Sequence, residues 1–177
     1  MMTSMALHDS ICDFLDTRIT PQFNLPAQIG TGKNKEKTLR RPAVYRSGFL
    51  LPKSAGGKGD DVIAFMLPWL RKVENIRGER ESVATIEILY GVCAGVEYDE
   101  GGEKIDDGGG YRDLWNLIET TRQAFFTTAT LGDMFMIVPD FFEAEMLAEQ
   151  IYPYWEGFCR TRWHIGYPLP PPGEKFF

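Results

Sequence analysis

Histidine, serine and cysteine are the side chains whose spacing would reveal metal binding or nucleophilic catalysis, and here they are scattered. The histidines, His8 and His164, lie far apart, and we expect neither to have a cysteine or carboxylate beside it at metal-ligand spacing. Ser47, in Tyr-Arg-Ser-Gly-Phe, lacks the first glycine of the Gly-x-Ser-x-Gly turn that exposes a nucleophilic serine. Cys93 follows an apolar segment and is interpreted as a small packed hydrophobic residue. None of these residues predicts a catalytic or metal site.

Three further patterns could bind phosphate, calcium or a substrate, and each departs from what that chemistry requires. Gly30–Lys33 (Gly-Thr-Gly-Lys) lacks the four residues between the glycines, and the Ser or Thr after the lysine, of a phosphate-binding loop. The acidic segment 99–107 lacks the alternating oxygen ligands and final glutamate of a calcium loop. Glu143, Glu145 and Glu149 are the densest acidic set, but the first two alternate as on an exposed strand. We therefore expect a protein that is not an enzyme and has no cofactor and no metal.

The composition is that of an ordinary globular protein. The chain has 177 residues, 44% hydrophobic and 25% charged, which suits one domain with a sizeable core. Its net charge of −6 argues against specific nucleic-acid binding, so the basic run Lys33–Arg41 is interpreted as a solvated or protein-contacting loop. Scattered Cys12, Cys93 and Cys159 predict reduced thiols and an intracellular setting. Neither a signal peptide nor a membrane span is predicted.

The segment Ile151–Leu169 is the best candidate for a binding surface. It holds two of the four tryptophans and three of the seven tyrosines, beside arginines, a combination enriched at protein contact surfaces. On a strand, Arg160 and Arg162 share one face, and Thr161 and Trp163 share the other. We expect the arginine face to meet a partner, so that reversing both arginine charges abolishes assembly without unfolding the monomer. The alternative interpretation is a final core strand with an ordinary tail. The candidate interface residues are Arg40, Arg41, Tyr154, Trp155, Arg160 and Arg162.

Two helices are predicted. Thr3 or Ser4 can cap the first helix, whose apolar stripe consists of Leu7, Ile11, Phe14 and Leu15. The second helix, from about Tyr111 to Phe126, follows an acidic glycine-rich loop, Asp99–Gly110. Its buried face consists of Leu114, Leu117, Ile118, Thr121 and Phe125, and we expect Trp163 to pack on it.

Several short strands are predicted around the second helix. The clearest has Ala84, Ile86, Ile88, Tyr90 and Val92 on its core face and Thr85, Glu87 and Leu89 on the other. The remaining strands are predicted within Pro42–Pro52, at Val62–Leu70 (where Pro68 favours an edge or a bulge), at Phe135–Val138, at Phe142–Ala148 and at Arg160–Tyr167. Too few residues separate the early strands for crossover helices. The predicted fold class is therefore α+β, a mainly antiparallel β-sheet with one or two helices packed on one face.

We predict a single domain over residues 1–177. Its parts are an N-terminal helix region (1–27), basic and glycine-rich loops around a short strand (28–61), the sheet and central helix (62–167), and a proline-rich tail (168–177). Within the second part, Ser54–Asp61 is predicted to be a mobile linker.

Several segments between about residues 40 and 168 carry a family resemblance. They are Arg41-Pro-Ala-Val, Gly48-Phe-Leu-Leu-Pro-Lys, the apolar run Val62–Leu70, Val83-Ala-Thr-Ile-Glu-Ile-Leu-Tyr-Gly, Gly110-Tyr-Arg-Asp-Leu-Trp-Asn-Leu-Ile-Glu, and Tyr152-Pro-Tyr-Trp-Glu-Gly with the downstream Thr161-Arg-Trp-His-Ile. In this order they resemble the tail terminator, or tail-to-head joining, proteins of long-tailed phages and prophages of Gram-positive bacteria. The basic loop Ile29–Lys37 and the long acidic insert before Tyr111 depart from the family pattern.

The resemblance implies a structural protein that forms a ring, expected to be a hexamer, at the head-proximal end of the tail tube. Such a ring would cap the tube and join the tail to the head. The implied partners are further copies of the chain, the tail tube protein and the head–tail connector, with no membrane and no specific nucleic acid. The implied location is the virion tail, and the host cytoplasm during assembly. The alternatives left open are another head–tail neck or completion protein and a small non-catalytic binding module.

Overall fold

A six-stranded sheet forms the centre of the described part of the chain. The computed structural model describes residues 3–29, 36–46, 63–76, 81–93, 97–98, 104–105, 108–128, 130–150 and 154–166. The strands of this sheet, in spatial order, are β3 (Ala43–Val44), β4 (Phe65–Ile76), β5 (Glu81–Cys93), β10 (Tyr154–His164), β9 (Phe135–Met146) and β8 (Thr130–Leu131). All neighbours are antiparallel except β3 and β4. The predicted α+β fold class is confirmed.

The first helix, α1 (Ser4–Phe14), begins as predicted. The Oγ1 atom of Thr3 accepts a hydrogen bond of 3.1 Å from the backbone N–H of Ala6, one of the donors that the first turn leaves unsatisfied. Leu7, Ile11 and Leu15 are fully buried, which confirms the apolar stripe. The chain continues through a π-helical turn, Leu15–Ile19, and a short 3-10 turn, Thr20–Gln22. This irregular end leads the chain toward the first strand.

The second helix, α2 (Gly109–Thr128), covers the same face of the sheet as α1. Its predicted buried side chains are all at most 1% exposed: Leu114, Leu117, Ile118, Thr121 and Phe125. The Phe125 ring stacks on Phe14 of α1 and meets Trp163 of β10 edge-on, each at 5.3 Å between ring centroids. The core therefore lies between the two helices and the face of β5 that carries Ala84, Ile86, Ile88, Tyr90 and Val92.

Pro68 lies at an edge, which is one of the two settings predicted for it. β3 pairs with β4 only at Phe65 and Met66, so Pro68 lies where β4 has no strand on that side among the described residues. Two residues later the register with β5 shifts between Leu70 and Lys72, which is a bulge. Proline has no N–H to donate to a neighbouring strand, so the sheet tolerates Pro68 at this unpaired edge. Its carbonyl oxygen lies 3.2 Å from Nε2 of His8 on α1.

Several predicted loops contain strands instead. β1 (Leu25–Ile29) and β2 (Glu36–Arg40) form an antiparallel pair. β2 lies in the predicted basic loop, and β1 begins inside the predicted N-terminal helix region, 1–27, which is therefore not helical to its end. Leu25 and Ala27 are buried in the core, whereas Leu39 and Arg40 are exposed, so β1 packs on the core and the end of β2 meets water. β6 (Glu97–Tyr98) and β7 (Lys104–Ile105) pair within the predicted acidic loop.

Strand boundaries also differ. The two strands predicted at Phe135–Val138 and Phe142–Ala148 are one strand, β9, with an irregular stretch between Ile137 and Phe142. The last strand begins at Tyr154 instead of Arg160, because residues from Tyr154 onward pair with β5. Between Pro42 and Pro52 only Ala43–Val44 is a strand in the described residues. Ser54–Asp61, predicted to be a linker, and the proline-rich tail lie outside the described residues.

Candidate subunit interface

The candidate surface is the face of the sheet opposite the helices, here called the outer face. Alternation along β10 puts Arg160 and Arg162 on this face and buries Thr161 and Trp163 against the core, as predicted. The indole Nε1 of Trp163 donates a hydrogen bond of 2.9 Å to Oγ1 of Thr161, and its ring packs on Phe125. The arginine face therefore lies on the side of the sheet away from the core.

At the centre of the outer face, Arg160 is bound to a buried carboxylate. Nε of Arg160 donates to Oε2 of Glu87 at 2.7 Å, while Nε and Nη2 of Arg71 both donate to Oε1, at 2.9 and 2.6 Å. Glu87 is only 3% exposed, whereas the side chains of Arg71 and Arg160 are 52% and 41% exposed. The bulge between Leu70 and Lys72 supplies Arg71 for this contact. A buried carboxylate is thus held between two arginines that reach water.

The two arginines determine the ionisation of Glu87. Burial raises the pKa of Glu87, but hydrogen bonds from Arg160 and Arg71 outweigh it and leave the pKa below its ordinary value. The same contact with Glu87 raises the pKa of Arg160. The carboxylate therefore stays charged, and charge-assisted hydrogen bonds of this kind are stronger than neutral ones.

The strand register extends this cluster into a row across the sheet. Glu87 pairs with Trp69 on one side and with Arg160 on the other, and Arg160 pairs with Glu143 of β9. Nη1 of Arg160 lies 3.8 Å from Oε2 of Glu143, which is 57% exposed. Together with Arg71 at the β4 bulge, the signs alternate from one side of the sheet to the other. We call Arg71, Glu87, Arg160 and Glu143 the charged row.

The second predicted arginine, Arg162, has a different environment. It is exposed, and its guanidinium carbon lies 4.2 Å from the centre of the Phe141 ring, a cation–π contact with the irregular part of β9. It also lines a groove of about 300 Å³ on the outer face, together with His164. The other lining residues are Glu74, Asn75, Ile76, Val83 and Val138.

The remaining predicted interface residues do not join this cluster. Tyr154 is on the outer face, but at the opposite end of β10. Trp155 points to the helix side, where its ring meets Tyr111 edge-on at 5.9 Å. Arg40 and Arg41 are exposed at and just after the end of β2, in the separate β1–β2 pair. Of the six predicted residues, the structure groups only Arg160 and Arg162 closely.

The expected behaviour of the double arginine reversal needs correction. Arg160 neutralises a carboxylate that is only 3% exposed, so Arg160→Glu would place a second negative charge against Glu87 and damage the fold itself. A combined Arg160→Glu, Arg162→Glu variant therefore cannot separate assembly from folding. Arg162, which is exposed, is the residue at which a charge change tests the surface alone.

Three residues of the charged row were not recognised as site residues from the sequence. Alternation places Glu87 on the less buried face of its strand and Glu143 on an exposed strand face, and no local pattern singles out Arg71. One signal was available for Glu87: a carboxylate in the middle of an apolar strand requires a partner if it is buried. Its partners lie 16 and 73 positions away, and only strand pairing identifies them.

The outer edges of the sheet are a further part of the surface. Among the described residues, no strand pairs with the outer edge of β4 after Met66 or of β9 after Met136. These open edges are residues 67–76 on one side and 137–146 on the other. Apart from Pro68, whose carbonyl oxygen contacts His8, and Pro139, which has no N–H, they carry backbone donors and acceptors that another strand can use.

Buried polar contacts near the core involve the cysteines. Contrary to expectation, Cys12 lies one turn from His8, with its Sγ 3.8 Å from Nε2. Burial is the main reason that the pKa of Cys12 rises to about 11. Cys159 Sγ lies 3.3 Å from the Tyr90 hydroxyl, and burial raises the Cys159 pKa to about 12. These thiols are therefore protonated near neutral pH, which is the unreactive form.

Metal-ligand clusters, membrane-spanning helices and similarity to known proteins would each point to a function. In the part of the chain that the structure describes, no group of three or more His, Cys, Asp or Glu side chains is placed to hold a metal ion. Within the same residues, neither α1 nor α2 combines the length and apolar character that a bilayer crossing requires. Models of known protein families and curated protein sequences contain no match to this chain.

Proposed function

We propose that the chain is a structural subunit of a phage or prophage tail, which assembles as a ring, caps the tail tube and joins the tail to the head. The proposed partners are other copies of the chain, the tail tube protein and the head–tail connector, with no membrane and no specific nucleic acid. The proposed location is the virion tail, and the host cytoplasm during assembly. In this proposal the chain has no catalytic role.

The observation that carries the proposal is the ordered set of segments that resembles the tail terminator family. Several of these segments coincide with the elements that form the core. Residues 41–44 lead into β3, residues 83–91 lie within β5, residues 110–119 lie in α2, and residues 161–165 run to the end of β10. The resemblance therefore involves the sheet and its covering helix, which are the parts that specify a fold. The segment that begins at Gly48 lies outside the described residues, and the segment that begins at Tyr152 is described from Tyr154 onward.

The open sheet edges support a ring. A subunit with different binding edges on its two sides can make head-to-tail contacts, and these close into a ring when the rotation per subunit permits. The outer edges of β4 and β9 are on opposite sides of the sheet, so one copy can contact two neighbours at once. A chain that could pair through only one surface would stop at a dimer.

The mass of the purified protein in solution tests the first half of the proposal. We expect light scattering behind a sizing column to show a closed oligomer, with a hexamer as the expected size. If the protein is a monomer at every concentration, tail tubes purified from the phage or prophage that encodes it should be added. A protein that neither forms rings nor binds tube ends would contradict the proposal.

Electron microscopy tests the second half. Tail tubes assembled without the protein should grow past their normal length, and adding it should stop growth and label one end. A protein that binds heads and not tube ends would instead be another neck or completion protein.

A small non-catalytic binding module is the second candidate. The groove of about 300 Å³ beside Arg162, His164 and Asn75 favours it, because pockets of this size can hold small molecules. A thermal-shift screen with small anionic compounds would test it, with Arg162→Met as the variant that should lose any response.

A further inference from the structure

The open edges of the sheet carry opposite charge. Between residues 67 and 76, β4 has two basic side chains, Arg71 and Lys72, and one acidic side chain, Glu74. β9 has Asp140, Glu143 and Glu145 and no basic residue. Nζ of Lys72 lies 2.6 Å from Oε1 of Glu74 in the same strand, but the Lys72 side chain is 62% exposed. Glu143 is 57% exposed, so both side chains can reach a neighbouring molecule.

The charged row shows which side chains of opposite charge lie at the two edges. Within one copy, Glu87 lies between Arg71 and Arg160, and Arg160 lies between Glu87 and Glu143. Among the described residues, the two ends of the row contact an opposite charge on one side only: Arg71 contacts Glu87 at the β4 edge, and Glu143 contacts Arg160 at the β9 edge. A second copy placed beside the first would bring its Arg71 to the level of this Glu143 and continue the alternation.

Strand direction allows the sheet to continue in the same way. β4, β5, β10 and β9 are successive antiparallel neighbours, so β9 runs opposite to β4. A neighbour related by rotation about an axis along the strands keeps every strand direction. Its β4 is therefore antiparallel to this β9, which repeats the pairing already found inside the sheet.

We infer that the β9 edge of one copy pairs with the β4 edge of a second copy of this chain, head to tail, with Glu143 against Arg71 and Asp140 near Lys72. This inference rests on the proposed ring and specifies its contact. The pairing combines backbone hydrogen bonds between two open edges with complementary charge at the rim.

Edge protection is the competing explanation for the same residues. Lysines, charged side chains and bulges at open edges commonly prevent unwanted strand pairing. That purpose is served by a charge of either sign, whereas here one edge is mainly basic and the other wholly acidic. If the charges only protect the edges, changing them should leave the association of the protein unaffected or increase it.

An engineered disulfide tests the contact directly. In one copy, three strand spacings separate β4 from β9, about 14 Å, so Lys72→Cys and Glu143→Cys on the same chain cannot bond to each other. Oxidation of this double variant at assembling concentration should therefore give a ladder of covalent oligomers on a non-reducing gel. A second double variant, Lys72→Cys with Glu145→Cys, tests the same contact with the strands shifted by two residues. Each single variant should give dimers at most, and the native cysteines, all buried, do not interfere.

Charge reversal provides a second measurement. Lys72→Glu alone and Asp140→Lys alone should each weaken association about tenfold per contact, because each places like charges across it. Mixing the two variants in equal amounts should restore association, since the two reversed residues then meet with opposite charges. Arg112→Glu, an equal reversal exposed on α2 at the other face, is the control and should have no effect.

The outcomes separate this inference from the proposed function. Oligomers that form but give no ladder, and that ignore both reversals, would overturn the edge contact and leave the ring standing. A ladder with restored mixing, from a protein that does not bind tail tubes, would support the contact and contradict the tail function. A protein that stays monomeric throughout, with no ladder, would overturn the edge contact as well.

Discussion

Oε2 of Glu87 accepts a hydrogen bond of 2.7 Å from Nε of Arg160, a residue 73 positions later in the chain. The bond crosses from β5 to β10 at the centre of the outer face, where Glu87 is 3% exposed. A carboxylate this deeply buried is stable only when it is paired and hydrogen-bonded. Arg160 is therefore part of the fold as well as part of a candidate contact surface.

Replacing Arg160 should cost more stability than replacing Arg162. Arg160→Met leaves Oε2 of Glu87 without its partner, and we expect unfolding to become easier by about 1.5–3 kcal/mol, the range for hydrogen bonds to charged groups. Arg162→Met removes an exposed side chain and should cost less than about 1 kcal/mol. Urea unfolding of the two variants measures both values. Equal losses would mean that the Glu87 contact contributes little.

Glu87 should make the stability of the protein depend on acid pH. Its pKa is lowered from 4.5, so the stabilisation is present above the unfolded value and is lost as the pH falls through the folded value. Glu87→Gln cannot titrate, and its free energy of unfolding should fall less than that of the wild type between about pH 6 and about pH 3. Parallel pH curves for the two proteins would contradict this expectation.

The indole of Trp163 should depend on the hydroxyl of Thr161. Both residues are fully buried, and Nε1 of Trp163 donates to Oγ1 of Thr161 at 2.9 Å. Thr161→Val keeps the shape but leaves the indole N–H unsatisfied, which should cost about 1–3 kcal/mol. Because Trp163→Phe has no N–H, the valine substitution should cost less in that background. A double-mutant cycle from urea unfolding measures the difference.

Gly91 should resist substitution because an aromatic ring lies over it. A Cβ atom at this position would be 2.2 Å from Cε1 of Phe65, so Gly91→Ala should displace the ring and cost about 1–3 kcal/mol. Phe65→Leu in the same chain should recover part of that loss. Gly157→Ala is the comparison, since its Cβ would lie 2.9 Å from the backbone oxygen of Glu145, which a side-chain change cannot relieve.

The buried thiols should be unreactive in the folded protein. Burial raises the pKa of Cys12 to about 11 and that of Cys159 to about 12, so at about pH 8 only on the order of one thiol in a thousand or fewer is the reactive thiolate. Colour development with a disulfide reagent should be slow in buffer and rapid in urea. Rapid reaction of Cys12 or Cys159 in buffer would contradict their burial.

Local periodicity predicted the helices and the central strand well. The apolar stripes of α1 and α2, the core face of β5 and the opposite orientations of Arg162 and Trp163 all follow from spacings of 3.6 or 2 residues. Thr3 or Ser4 could be named as the cap because a hydroxyl residue shortly before an apolar stripe fits that position. Each of these features depends on residues a few positions apart.

Pairing between distant segments was not predictable in the same way. β2 lies where the basic residues predict a loop, and β1 begins inside the predicted N-terminal helix region, so no local pattern predicts that they pair. β9 contains Pro139 and Asp140, which are typical of a turn, yet its neighbour β10 continues alongside and keeps β9 a single strand. In both cases the energy of strand pairing overrides a weak local preference.

The candidate surface also has features that local spacing predicts and features that depend on pairing between distant segments. The sequence by itself determined that the chain has an α+β pattern, that Arg160 and Arg162 share a strand face, and that Trp163 belongs to the core, because alternation is a property of neighbouring residues. Only the tertiary structure decided that Glu87 is buried between Arg71 and Arg160, and that opposite charges end at the two sheet edges. Those relationships depend on which strands lie side by side, and a buried charge acquires its partner only when distant segments of the chain pack together.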